Sequence, residues 1–64
     1  MIVAGVYYEV DWRKFRKGTS LFFPCLDPRA AQREIRSYLN QMGLNGTYKH
    51  VVEQGIRGVR VWRV

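Results

Sequence analysis

Leu26-Asp27-Pro28-Arg29-Ala30-Ala31-Gln32-Arg33-Glu34-Ile35-Arg36-Ser37-Tyr38-Leu39-Asn40-Gln41-Met42-Gly43 is the stretch on which the fold turns. Asp27 is a good N-cap, because its carboxylate can accept from the amide donors that a helix leaves orphaned at its start. Pro28 suits the first helical position, where its missing N–H costs nothing. Leu26 is placed to staple onto Ala31. Ala31, Ile35, Tyr38, Leu39 and Met42 then recur at helical spacing and form one apolar stripe. Gly43 is a natural left-handed stop. The spacing predicts a helix over 28–42.

Outward from the helix the pattern changes to strands. Asn45-Gly46 turns the chain into a strand over 47–53, Gln54 to Gly58 supplies a hairpin turn, and Val59 to Val64 forms the last strand. On that strand Val59 and Val61 share one face, and Arg60 and Trp62 share the other. On the N-terminal side, Ile2 to Val10 is rich in Val and Tyr and reads as a strand, with apolar groups on both faces. Thr19 to Pro24 reads as a short second strand ended by its proline. The expectation is one α+β domain over residues 1–64, of ββαββ order, with an antiparallel sheet and the helix packed on one face.

The chain has 64 residues, with eleven Lys and Arg against five Asp and Glu, for a net charge of +6. That length holds one small core. A folded domain this basic is suited to nucleic acid, an anionic membrane surface or an acidic protein face. Cys25 is the single cysteine, so no internal disulfide can form and a reducing cytoplasm is expected. Residues 1–10 lack the basic leader and cleavage pattern of a signal peptide. No run approaches the roughly 20 apolar residues that span a bilayer. No membrane partner is expected.

Three groups of residues are candidates for contacting a partner. The densest is Trp12-Arg13-Lys14-Phe15-Arg16-Lys17, a loop closed by Gly18. Its cations Arg13, Lys14, Arg16 and Lys17 can neutralise phosphates, and its rings can either stack on bases or turn inward as core anchors. Arg29, Arg33 and Arg36 share the helix face opposite the apolar stripe, either as a solvated face or as a row able to track a phosphate backbone. Arg60 and Trp62 share the outer face of the last strand, with Lys49 or His50 on the neighbouring strand. That pair suits a single-strand stacking platform or, equally, a cover for the sheet or a dimer interface.

Catalysis is not expected. His50 and Cys25 are alone in their types, and no acid is placed to orient them as a nucleophile pair. Two such ligands cannot close a zinc site. Glu9 and Asp11 read as charge balance for the cations that follow. There is no glycine-rich phosphate loop opening a helix, so neither a cofactor nor a metal is expected.

The chain resembles a group of small, mostly uncharacterised bacteriophage proteins. The resemblance rests on Trp12, Phe15 and Gly18 leading into Ser20-Leu21-Phe22-Phe23-Pro24, on the helix with Ala30, Ala31 and Tyr38 closing at Gly43, and on the ending Gly58-Val59-Arg60-Val61-Trp62-Arg63-Val64. The apolar residues 1–10 and the strong charge of 13–17 depart from that group. The resemblance implies a phage origin, a compact α+β fold and residence in the host cytoplasm, and carries no catalytic residues. The leading expectation is an accessory protein that binds stoichiometrically, with nucleic acid preferred. The alternative is a host-directed inhibitor, of an anti-CRISPR or other anti-defence kind, docking on an acidic patch of a host protein. A homodimer paired through a strand edge is a third reading.

Overall fold

A computed structural model describes residues 1–64. Its elements are β1 (Ile2–Val3), β2 (Val6–Tyr7), a 3-10 turn (Trp12–Lys14), β3 (Ser20–Pro24), α1 (Pro28–Gln41), β4 (Gly46–Glu53) and β5 (Ile56–Arg63). The α+β architecture is as expected. The main sheet is antiparallel in the order β3-β5-β4, and β1 and β2 pair separately as a small hairpin.

The helix forms for the reasons its sequence offers. The Asp27 carboxylate accepts from the Ala30 N–H at 3.2 Å. At the other end Gly43 takes a positive φ of 70°. The Leu44 N–H donates to the Leu39 carbonyl and the Gly43 N–H to the Asn40 carbonyl, a Schellman closure that satisfies carbonyls the helix would leave open. Ala31, Ile35 and Leu39 are buried against Val59 and Val61 of β5. The helix therefore covers the Val59 and Val61 face, and the Arg60 and Trp62 face is left open.

Leu26 does not staple onto Ala31: it is 94% exposed. Cys25 is the residue that turns inward there, its N–H bonded to the Arg57 carbonyl, and the next side chain of the extended segment points away.

The N-terminal strand is also revised. Residues 2–10 do not run as one strand, because Ala4 and Gly5 both take positive φ (49° and 80°) and fold Val6–Tyr7 back onto Ile2–Val3. A continuous strand would carry apolar groups on both faces with only one to bury. Folding back sends Val3 into the core and leaves Val6 and Tyr7 outside. The hairpin is fastened to its neighbours. The Ala4 N–H donates to Glu34 Oε2 at 2.9 Å, and the Tyr38 hydroxyl donates to the Ile2 carbonyl at 3.2 Å. Tyr8 meets Phe23 edge-on at 5.1 Å and donates to the Pro24 carbonyl.

The same turn recurs at Gln54-Gly55, with φ of 52° and 78°. Two positive φ values in a two-residue loop match the twist of the flanking strands, so Glu53 pairs directly with Ile56. The last strand consequently starts at Ile56, three residues before the expected Val59. β4 lies at one edge of the sheet, its eight residues in unbroken register with β5.

Trp12 and Phe15 turn inward. Phe15 is 2% exposed within the core, and Trp12 packs on it edge-to-face at 5.8 Å. A domain of this length is stabilised by roughly 3–10 kcal/mol, and emptying a buried phenylalanine site costs about 3–5 kcal/mol. Phe15→Ala is therefore expected to leave a large fraction of the chain unfolded at room temperature, read by urea titration followed by circular dichroism.

Candidate functional site

The basic turn is a supported structure. Asp11 caps it, its carboxylate accepting from the Arg13 backbone N–H at 3.1 Å and from the Arg13 guanidinium at 3.0 and 3.2 Å. That contact holds the Asp11 carboxyl below the usual carboxylate range. Thr19 closes the turn on the Arg16 carbonyl, through both its N–H and its hydroxyl. Gly18 and Thr19 then extend the pairing of β3 with β5 by bonding to Arg63.

Arg63, which was not among the sequence candidates, fixes the turn to the sheet. Its guanidinium donates to the Phe15 carbonyl at 2.8 Å, while its Nε is buried without an acceptor. Its signal lies in the alternation of β5, which places it on the same face as Val59 and Val61, beneath Phe15. No carboxylate neutralises this half-buried cation, so it adds to the positive field of the turn.

The four cations of the turn are exposed. Arg13 is paired with Asp11; Lys14, Arg16 and Lys17 have no carboxylate within reach. The same imbalance holds throughout. Of eleven Lys and Arg, only Arg13 and Arg60 sit in ion pairs. Four of the five acids are engaged by groups of the chain itself, though none is buried: Asp11 and Asp27 as caps, Glu34 on the N-terminal hairpin, Glu53 on Arg60. The cations without an acid partner therefore outnumber the one acid, Glu9, left without a role in the chain.

The helix arginines form a second surface. Arg29 and Arg33 are exposed without an ion pair, and Arg36 lies over the Tyr48 ring at 5.1 Å. Beside it, His50 shares a 2.7 Å hydrogen bond with Gln32 Oε1. Arg29 stands at the helix start, where Cys25 pairs with Arg57, whereas the basic turn lies at the Arg63 end of β5. The intervening residues of β5 span about 20 Å at the rise of a strand. The turn and the start of the arginine row are thus set at opposite ends of the sheet.

The third surface is the open sheet face. The register aligns Phe22, Arg60 and Lys49 across the three strands, and Ser20, Trp62 and Thr47 in the next row. His50 falls on the opposite face, opposite Val59. Arg60 is fully engaged. It chelates Glu53 through two hydrogen bonds of 2.6 Å, donates to Ser20 Oγ at 2.8 Å and lies over the Phe22 ring at 5.5 Å. The Phe22 ring covers Gly58, where a Cβ would come within 2.8 Å of the ring and 2.4 Å of the Phe23 carbonyl oxygen. Glycine is required there.

Among the remaining chemistry-bearing residues, Cys25 is buried, and that burial pushes its thiol above the ordinary range, away from a reactive thiolate. No group of three or more His, Cys, Asp or Glu converges as metal ligands would. No helix is long and apolar enough to cross a membrane. The chain matches no protein family, no curated protein and no solved structure.

The Arg60 contact holds the Glu53 carboxyl below its usual value. A carboxyl depressed by folding stabilises the fold above its unfolded pKa, near about 4.3, and that contribution disappears as pH falls through the depressed value. Glu53→Gln is therefore expected to melt below the parent at neutral pH. The gap should close on acidification below about pH 4, as followed by thermal melts of both proteins across the series.

Proposed function

We propose that this chain is a small accessory protein, of the bacteriophage type its sequence resembles, that acts stoichiometrically by binding nucleic acid through the basic turn. The observation that carries the reading is the outward set of Arg13, Lys14, Arg16 and Lys17 on a turn fastened by Phe15 and Arg63. A fastened turn presents its charges with little ordering left to do on binding. Three of the four cations have no internal acid to compete with a phosphate. The arginines Arg29 and Arg33 extend the positive field along the helix and help steer association.

Binding of this kind is driven by release of counterions and weakens with salt. If each of the four cations neutralises one phosphate, affinity falls about 50- to 150-fold between about 50 and 200 mM salt, the lower figure for single strands. The check is fluorescence anisotropy with labelled single- and double-stranded DNA and RNA across that range. The joint change of Arg13, Lys14, Arg16 and Lys17 to Ala is expected to flatten the salt slope and reduce binding to every nucleic acid alike. Failure of the parent protein to bind any of them at low salt rejects the reading. The docking of the same surface on an acidic host protein, as an anti-defence inhibitor would do, then becomes the alternative, tested by affinity capture.

A further inference from the structure

The helix, the N-terminal hairpin and Phe15 all pack on the Val59 and Val61 face of the sheet, and no helix or strand packs on the other. Exposed faces of antiparallel sheets are ordinarily polar. This one carries two aromatic rings, Phe22 and Trp62, each half-buried yet outside the hydrophobic core and its satellite contacts. They are the two aromatic rings on this face, and the core does not account for either.

Their surroundings are suited to flat, uncharged rings. The cross-strand neighbours of Trp62 are Ser20 on one side and Thr47 on the other, side chains too short to overlie an indole. Phe22 lies diagonally across from it, held over Gly58. Arg60, flat and locked by Glu53 and Ser20, lies over the Phe22 ring, so Phe22 is held in place before any partner arrives. Lys49, exposed on the same face opposite Arg60, has no carboxylate partner and can meet a phosphate. The basic turn enters this sheet directly through Gly18 and Thr19, at the Trp62 end of β3.

From this placement we infer that the open face of the β3-β5-β4 sheet is a stacking platform for the unpaired bases of a single-stranded nucleic acid, with Trp62 as its principal ring and Lys49 and the basic turn holding the backbone. The inference rests on the nucleic-acid reading above and adds to it a strand preference. Bases within a duplex are stacked on one another and cannot reach the face, so the aromatic contribution belongs to single strands alone. The occupant is identified by two chemistries together, aromatic faces and unpaired cations.

The test uses the whole chain with a ten-nucleotide oligothymidylate and a duplex of matched phosphate number. In a Trp12→Phe chain Trp62 is the sole tryptophan, and its emission is expected to be quenched on adding the oligothymidylate and little changed by the duplex. Trp62→Leu is expected to weaken single-strand binding about 5- to 150-fold, the range of one lost base stack, with duplex binding unchanged. Circular dichroism establishes that Trp62→Leu is folded; should it not be, the quenching in the Trp12→Phe chain decides. Single-strand binding without quenching, or undiminished in a folded Trp62→Leu, overturns the platform and leaves the basic turn standing. Binding to neither nucleic acid by the parent chain overturns both.

Discussion

The alternation along β5 is the constraint to which the remaining parts answer. Gly58 to Arg63 is paired on both edges, so each residue is committed to one face or the other with no freedom to slip. Val59 and Val61 commit one face to the helix. Arg60 and Trp62 are thereby committed to the other, and Arg63 to a place beneath Phe15. A shift of one residue would bury a guanidinium under the helix and send two valines into water. The buried core, the open face and the anchorage of the basic turn are three consequences of one register.

Electrostatics follows a parallel division of labour. The scarce carboxylates are placed where the backbone needs acceptors or where a guanidinium must be held still. The abundant cations have little internal work, with Arg13, Arg36, Arg60 and Arg63 as exceptions. At the turn only Arg13 is locally compensated, and Lys14, Arg16 and Lys17 stand without an ion pair.

Much of this was legible in the residues. The helix and both its ends were readable because capping chemistry is local: Asp27, Pro28 and Gly43 act on backbone groups within a few residues of themselves. The inward turn of Trp12 and Phe15 was open as one of two readings, which their packing decides. The N-terminal hairpin was hidden because Ala4 adopts a positive φ that alanine rarely takes, in a segment whose Val and Tyr content favours a strand. The engagement of Arg60 was hidden for a different reason. Glu53 lies seven positions away, and the two meet only because the Gln54-Gly55 turn sets the register between their strands. The exposure of Leu26 is not legible in the sequence because a staple depends on the entry angle of the chain, here set where Cys25 bonds to Arg57. Local signals survived, and those that needed a register or an approach angle did not.

The unpartnered edge of β4 bears on how the protein behaves in a crowded solution. β3, at the far side of the sheet, is short and ends in a proline, but β4 is eight residues long, without proline or bulge. Such an edge is a template on which a second copy can zip. Mutual repulsion between copies each carrying +6 opposes that. The reach of this repulsion shrinks from about 10 Å at 0.1 M salt to about 3 Å at 1 M. A polyanion or concentrated salt that neutralises the charge also removes this opposition at the edge.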